Sequence, residues 1–202
     1  MKPKNLIMYI VDDFIIIWNN NEIYKEKLSK KAIYLGKIYN EYIFFEDIKN
    51  IFNKINKSIF NANLTILLNP SYTQFEIHNL KSVLEKLSVN KINFINITKL
   101  FDIKQNSIYL LINNKYIYII RYNYKHKIES TFIDYKMFNY NKERLANYVK
   151  TIIKSKKLIL VGYNKELAEI ANTIEQITNN KTYYVTDSNS FIINKIKNTL
   201  FL

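Results

Sequence analysis

The sequence predicts an α/β protein built from two similar lobes, each running three strands, a helix, a strand, a helix and a strand, with one closing helix after the second. Three observations carry this. Short apolar runs of strand length, separated by two or three polar residues, come in threes at residues 5–26 and again at residues 108–134. Each triplet is followed by segments whose apolar residues return at every third and fourth position, the period of a helix with one buried side. The order then restarts after the polar link Lys104 to Ser107, which places the lobes at residues 1–104 and 105–202.

In the first lobe, Asn5 to Val11, Phe14 to Trp18 and Glu22 to Glu26 read as strands. Their turns, at Val11-Asp12-Asp13 and Asn19-Asn20-Asn21, use residues that tolerate positive φ or bond their own backbone. Lys31 to Phe44 contains Gly36 and reads as an extra hairpin or irregular excursion. Glu46 to Phe60 is expected as a helix, because Ile48, Ile51, Phe52, Ile55 and Ile59 form one stripe. Leu64 to Leu68 is a continuous apolar run, as in a strand buried on both faces. Pro70 ends it, and Ser71 or Thr73 is placed to cap the helix Thr73 to Ser88, in which Thr73 and Glu76 have capping-box spacing. Ile77, Leu80, Leu84 and Leu87 form that helix's inner face, and Ile92 to Ile97 is the closing strand.

The second lobe repeats the pattern. Ile108 to Ile112, Tyr116 to Tyr122 and Ile128 to Asp134 are strands, with Asn113-Asn114-Lys115 as a hairpin turn in which Asn takes left-handed backbone readily. Asn141 to Ser155 is a helix through Leu145, Tyr148, Val149, Ile152 and Ile153. Leu158 to Val161 is a short buried strand ending at Gly162, Lys165 to Ile177 a helix, Thr182 to Thr186 a strand and Ser190 to Leu200 the last helix.

Composition narrows the function. With 202 residues, 48% of them hydrophobic, the chain can bury a substantial core without staples. It has no cysteine, and His78 and His126 lie far apart, so disulfides and thiolate metal sites are excluded and no metal or other cofactor is expected. The apolar run Leu6 to Val11 meets Asp12 and Asp13 at once, too short and too soon charged for a secretory signal or a membrane span; a cytoplasmic protein without membrane contact is expected. The net charge of +13 is spread over lysines in ones and twos rather than gathered in a block. It reads first as a solvated surface and second as a surface able to touch nucleic acid. No G-x-S-x-G nucleophile signature occurs, and His78 is expected as an exposed or interface residue and not a base.

The element order is similar to the duplicated ribonuclease-H-like fold shared by actin, sugar kinases and the chaperone ATPases. In that superfamily ATP is clamped by two glycine turns that each carry an aspartate, with a glycine pair near the adenosine. Glycine serves there because backbone N–H groups must approach phosphate in conformations that a side chain forbids. Here IVDDFIII offers Asp12 or Asp13 with no glycine, LLINNKYIYII has no carboxylate, and LVGYN has a single glycine. The resemblance therefore implies a pseudo-enzyme with no catalytic residue and no ATP hydrolysis. Read as structure alone, Asp12-Asp13 is a turn that solvates two carboxylates.

Three stretches resemble the TsaB (YeaZ-type) family. Ser71-Tyr72-Thr73 with Ile77 resembles its S-[YF]-T-G-x-R-[VI] loop, although Gln74 and Glu76 stand where that loop has glycine and arginine. Ile117-Tyr118 with Tyr122 is similar to its D-A-R-x-x-x-V-Y strand pair, with Asn113 and Asn114 in place of the polar signature, and LILVG matches its strand ending in glycine. The resemblance implies a non-catalytic scaffold that supports a TsaD-type catalytic paralogue in threonylcarbamoyladenosine modification of tRNA, with the basic surface helping to hold the tRNA. It also implies docking through the first two helices, onto TsaD or onto themselves in a homodimer. Carried over, the interface residues are Phe52 and Ile55 on one helix and Phe75, His78, Asn79 and Ser82 on the other; the plain alternative puts Phe52 and Ile55 in the core. The stretch LLNPSYTQFEIHNLKSVLEKL also resembles the FtsA, MreB and PilM branch of actin-like proteins, which implies an adaptor in cell division, cell shape or pilus assembly. In that reading the tail FIINKIKNTLFL is either a membrane-surface helix or the closing helix of the second lobe.

Overall fold

The structure is a computed structural model that describes residues 5–19, 22–54, 62–101, 103–104, 106–123, 125–153 and 157–200. The chain divides into two compact units, Met1–Ile97 and Thr98–Leu202. The division falls a few residues ahead of the 104/105 break read from the sequence, because Phe101 stacks on Tyr109 at 5.0 Å and Phe191 at 6.1 Å, both in the second unit.

In the first unit, β1 (Asn5–Val11), β2 (Phe14–Asn19) and β3 (Glu22–Lys27) form an antiparallel meander, and β6 (Asn63–Leu68) and β7 (Lys91–Asn96) add to β1 in parallel, giving the order β3-β2-β1-β6-β7. Parallel strands need crossovers, and the helices α1 (Glu41–Lys54) and α2 (Gln74–Glu85) supply them. One face of the sheet, with Leu6, Met8, Ile10, Ile15, Ile17, Leu64, Ile66 and Leu68, packs on Phe44, Ile48, Ile51 and Phe52 of α1 and on Leu80, Val83 and Leu84 of α2. Each such side chain contributes about 1.5–3 kcal/mol on leaving water. All six residues of β2 are buried, so this strand shows no alternation in sequence.

The Lys31 to Phe44 excursion resolves into two parts. Ile33–Tyr34 (β4) and Lys37–Ile38 (β5) make a small hairpin, and its turn residues Leu35 and Gly36 both have positive φ, 51° and 74°. Helix α1 then starts at Glu41, five residues earlier than the sequence predicts, because the Asn40 side chain accepts the Ile43 N–H at 3.0 Å. Residues 55–60 of the predicted helix lie outside the described residues.

The second unit repeats the order. Strands β8 (Ser107–Ile112), β9 (Tyr116–Tyr122), β10 (Ile128–Asp134), β11 (Lys157–Val161) and β12 (Thr182–Tyr184) are arranged β10-β9-β8-β11-β12. Helices α3 (Lys142–Ile153) and α4 (Leu167–Thr178) cover the face formed by Ile108, Leu110, Ile112, Ile117, Ile119, Leu158 and Leu160, and α5 (Ser188–Leu200) follows β12. The last strand is two residues shorter than predicted and the last helix begins two residues earlier, because Asp187 caps it: its carboxylate accepts the N–H groups of Asn189 at 3.0 Å and Ser190 at 3.1 Å. The positive φ angles of this unit fall on His126, Asn139, Tyr140, Gly162 and Asn179 and not on Asn113 or Asn114, so the hairpin turn is made without the left-handed asparagine expected of it.

Candidate functional site

The loop after β6 is held from three sides. Asn69 is buried; its side-chain oxygen accepts the Tyr9 hydroxyl at 2.8 Å, and its amide donates to the Ile10 carbonyl at 3.4 Å. Tyr72 donates its hydroxyl to the Gly36 carbonyl at 2.7 Å, and Lys37 donates to the Ser71 carbonyl at 2.9 Å while pairing with Glu76 at 2.9 Å. Thr73 is the N-cap of α2: its side chain accepts the Glu76 N–H, and the Glu76 carboxylate accepts the Thr73 N–H at 2.7 Å. Ser71 contributes its carbonyl to this tie. Partial burial by itself would raise the Glu76 pKa, but the Thr73 N–H and the Lys37 ammonium outweigh it and hold the carboxyl below its ordinary value.

The same small hairpin seals the first β-turn. Asp12 has φ 51° and is 1% exposed; its carbonyl accepts the Gly36 N–H at 3.3 Å, and the Asp13 carbonyl accepts the Leu28 N–H at 2.8 Å. The expected turn of two solvated carboxylates is corrected at Asp12, which is buried where β4 and β5 fold over it. Burying the turn required partners for its carbonyls, and Gly36 and Leu28 provide them.

The corresponding turn of the second unit is closed differently. Asn113 is fully buried; its side-chain oxygen accepts the Tyr163 N–H at 3.3 Å, and its carbonyl accepts the Asn164 amide at 3.3 Å. The Ile112 carbonyl accepts N–H groups from both Tyr163 and Asn164, at 3.1 and 3.2 Å. This approach explains the lone glycine of LVGYN. Gly162 has φ 147°, and a Cβ there would lie 2.0 Å from the Ile112 carbonyl oxygen.

Beside Gly162, at the C-terminal ends of β11 and β12, is a depression of about 340 Å³ lined by Tyr163, Asn164, Lys165, Tyr184, Thr186 and Asp187 among others. Open α/β sheets place ligands outside the carboxyl ends of their parallel strands. Ser188 fastens the two elements, accepting the Gly162 N–H at 3.1 Å and donating to the Gly162 carbonyl at 2.7 Å. Tyr163 donates its hydroxyl to Asn189 at 3.1 Å; burial and the nearby Asp187 charge both push its pKa up, so it is a donor and not a base. Asp187 is held below its ordinary pKa by the Ser190 hydroxyl and N–H and by the Asn189 N–H. Hydroxyls, amides, one ammonium and one carboxylate suit polar binding. Among the described residues no cluster of three or more His, Cys, Asp or Glu is placed to hold a metal ion, and no helix is long and apolar enough to cross a membrane.

The residues expected at a partner interface are scattered. Phe52 is 3% exposed and packs in the first unit's own core, because it shares with Phe44, Ile48 and Ile51 the apolar stripe of α1 that lies on the sheet. Ile55 lies outside the described residues. Phe75 is 72% exposed, His78 is exposed and Asn79 and Ser82 are half-buried, so these four share an outward stripe of α2. The sequence reading passed over Ser188, Asn189 and Tyr184. The signal was there: Asp187-Ser188-Asn189-Ser190 ahead of an apolar periodic run is a capping sequence.

No family model matches the chain, and no curated protein does. Among solved structures, MreB 5 of Spiroplasma citri bound to AMPPNP is similar over 100% of this chain and 97% of its own, with a TM-score of 0.71 at 10% identity. This chain has an actin-like fold. A Bacteroides thetaiotaomicron protein with an actin-like ATPase fold matches 96% of this chain and 95% of its own (TM-score 0.61, 11% identity). The PilM-PilN type IV pilus biogenesis complex matches 92% and 89% (TM-score 0.61, 8% identity). These likenesses show the fold alone. They lend nothing specific to the TsaB-type resemblance, whose Ser71-Tyr72-Thr73 loop serves here to cap α2 and hold the small hairpin.

Proposed function

We propose that this chain is an actin-like adaptor that acts through protein–protein contacts and not through turnover of ATP, in the manner suggested by its likeness to MreB and PilM structures. Both units are read as ribonuclease-H-like copies, since they share one strand order. The observation that carries the proposal is the state of the two β-turns. The Asp12 turn is covered by the β4–β5 hairpin, and the Asn113 turn is bound to Tyr163 and Asn164, which leaves Asp12 1% and Asn113 0% exposed and gives a triphosphate no open approach to either residue. A phosphate loop stabilises charge with preorganised donors turned toward the ligand, and a turn covered by its own chain does not present them. The outward α2 stripe of Phe75, His78, Asn79 and Ser82 is the contact surface this reading favours.

The test is affinity capture from the native organism with wild-type chain and with Phe75→Asp. Recovery of a division, shape or pilus-assembly protein, lost in Phe75→Asp, is expected. Stable capture of a TsaD-type protein or tRNA in its place would overturn the adaptor reading.

A further inference from the structure

One sheet edge of this protein is left open in a way the others are not. Strand β10 is the outer strand of the second unit's sheet, and among the described residues β9 alone pairs with it. Along an antiparallel ladder every second residue turns its N–H and C=O to the free side, so a seven-residue edge offers a row of backbone donors and acceptors. The other edges are defended. In β3 four of six residues are charged, with Glu26 tied to Lys54; the side chains of β7 are mostly covered; β12 has three residues. Strand β10, Ile-Glu-Ser-Thr-Phe-Ile-Asp, has neither lysine nor proline, and the Glu129 charge is engaged by Arg121 at 2.9 Å. Ile128 and Phe132 stand on it 46% and 38% exposed, with Phe132 against the rings of Tyr116 and Tyr118.

We propose that a second copy of this chain pairs antiparallel along β10, with the two-fold axis through Ser130, joining two five-stranded sheets into one. The occupant follows from self-complementarity. In this register Ile128 faces the second copy's Phe132 twice, a pairing of two exposed apolar side chains on one face of the sheet. Glu129 faces Thr131, and the acidic end of the strand at Asp134 comes opposite the basic turn Lys125-His126-Lys127 of the other copy. The neighbouring registers fail. An axis at Glu129 sets that carboxylate against its own copy, and an axis at Thr131 puts Ile128 against Asp134. Met137, 74% exposed just beyond β10, adds apolar surface beside the seam.

The chain has no cysteine, so the register can be read directly. Residues directly opposite across an antiparallel pair have Cα atoms roughly 4.5–5.5 Å apart, within the span of a disulfide. Full-length Ser130→Cys oxidised with diamide is expected to yield a covalent dimer well ahead of Lys81→Cys, an exposed control on α2. Sedimentation of the wild type should show a dimer, and Ser130→Lys, which opposes two ammonium groups at the axis, should move it to monomer with an unchanged circular-dichroism spectrum. A monomeric wild type, a dimer that Ser130→Lys leaves intact, or cross-linking at Ser130→Cys no faster than at Lys81→Cys would each overturn the proposal.

Discussion

The two units share a strand order and differ in how each closes its first β-turn. In the first, the turn Asp12-Asp13 has two residues and is covered from outside by a hairpin inserted after β3. In the second, no hairpin is inserted and only a single short helical turn, Tyr135–Phe138, stands between β10 and α3; the turn at Asn113 is closed by the loop after β11, whose glycine lets two backbone N–H groups reach the Ile112 carbonyl. A repeated scaffold can thus satisfy the same buried backbone by an added element or by a closer approach. The second solution leaves no slack, and the first depends on a few polar fastenings that can be removed singly.

The largest effect is expected where there is no slack. Gly162→Ala places a Cβ into the Ile112 backbone and should cost about 3 kcal/mol or more. Gly36→Ala, which puts a side chain at φ 74°, should cost less, about 1 kcal/mol. Thermal unfolding of both variants measures the contrast; equal losses would erase it.

The fastenings of the first unit come next. Tyr72→Phe removes the bond to the Gly36 carbonyl, and Thr73→Ala removes the α2 cap; each should cost about 1 kcal/mol. Tyr72→Phe should speed hydrogen exchange in residues 33–38 while the strands β1, β2 and β6 stay protected. Uniform exchange across the unit would mean that the hairpin is integral to the core and not a cover.

The smallest effect is a pH dependence. Glu76 has a folded-state pKa below its ordinary value, so its contribution is present above the ordinary carboxylate range and is lost as pH falls through the folded pKa. Acidification should therefore loosen the tie from Lys37 to α2, seen as faster exchange at residues 33–38, and Glu76→Gln should flatten that response.

The strands were legible because burial on both faces leaves continuous apolar runs, as in β2, and α2 was legible because Thr73 and Glu76 announce its cap. The start of α1 was not, since Asn40 lies inside an excursion whose Gly36 suggests irregular chain as strongly as its capping role suggests a helix. Phe52 could not be assigned from periodicity, because a stripe at helical spacing is the same whether it faces a core or a partner. The Asp12 burial depended on a hairpin folding back over it, through a contact to Gly36 twenty-four positions away that has no local signature. The Ser188 bridge to Gly162 likewise spans twenty-six positions. These last two misses were long-range, whereas the missed caps at Asn40 and Asp187 were local signals.

Whether these closed turns can still serve nucleotide is decided by one measurement: phosphate release from Mg-ATP by the purified full-length chain, run beside Asp12→Ala and Asn113→Ala. The adaptor account predicts release at the level of the protein-free blank for all three. Magnesium-dependent hydrolysis by the wild type that either substitution abolishes would contradict it.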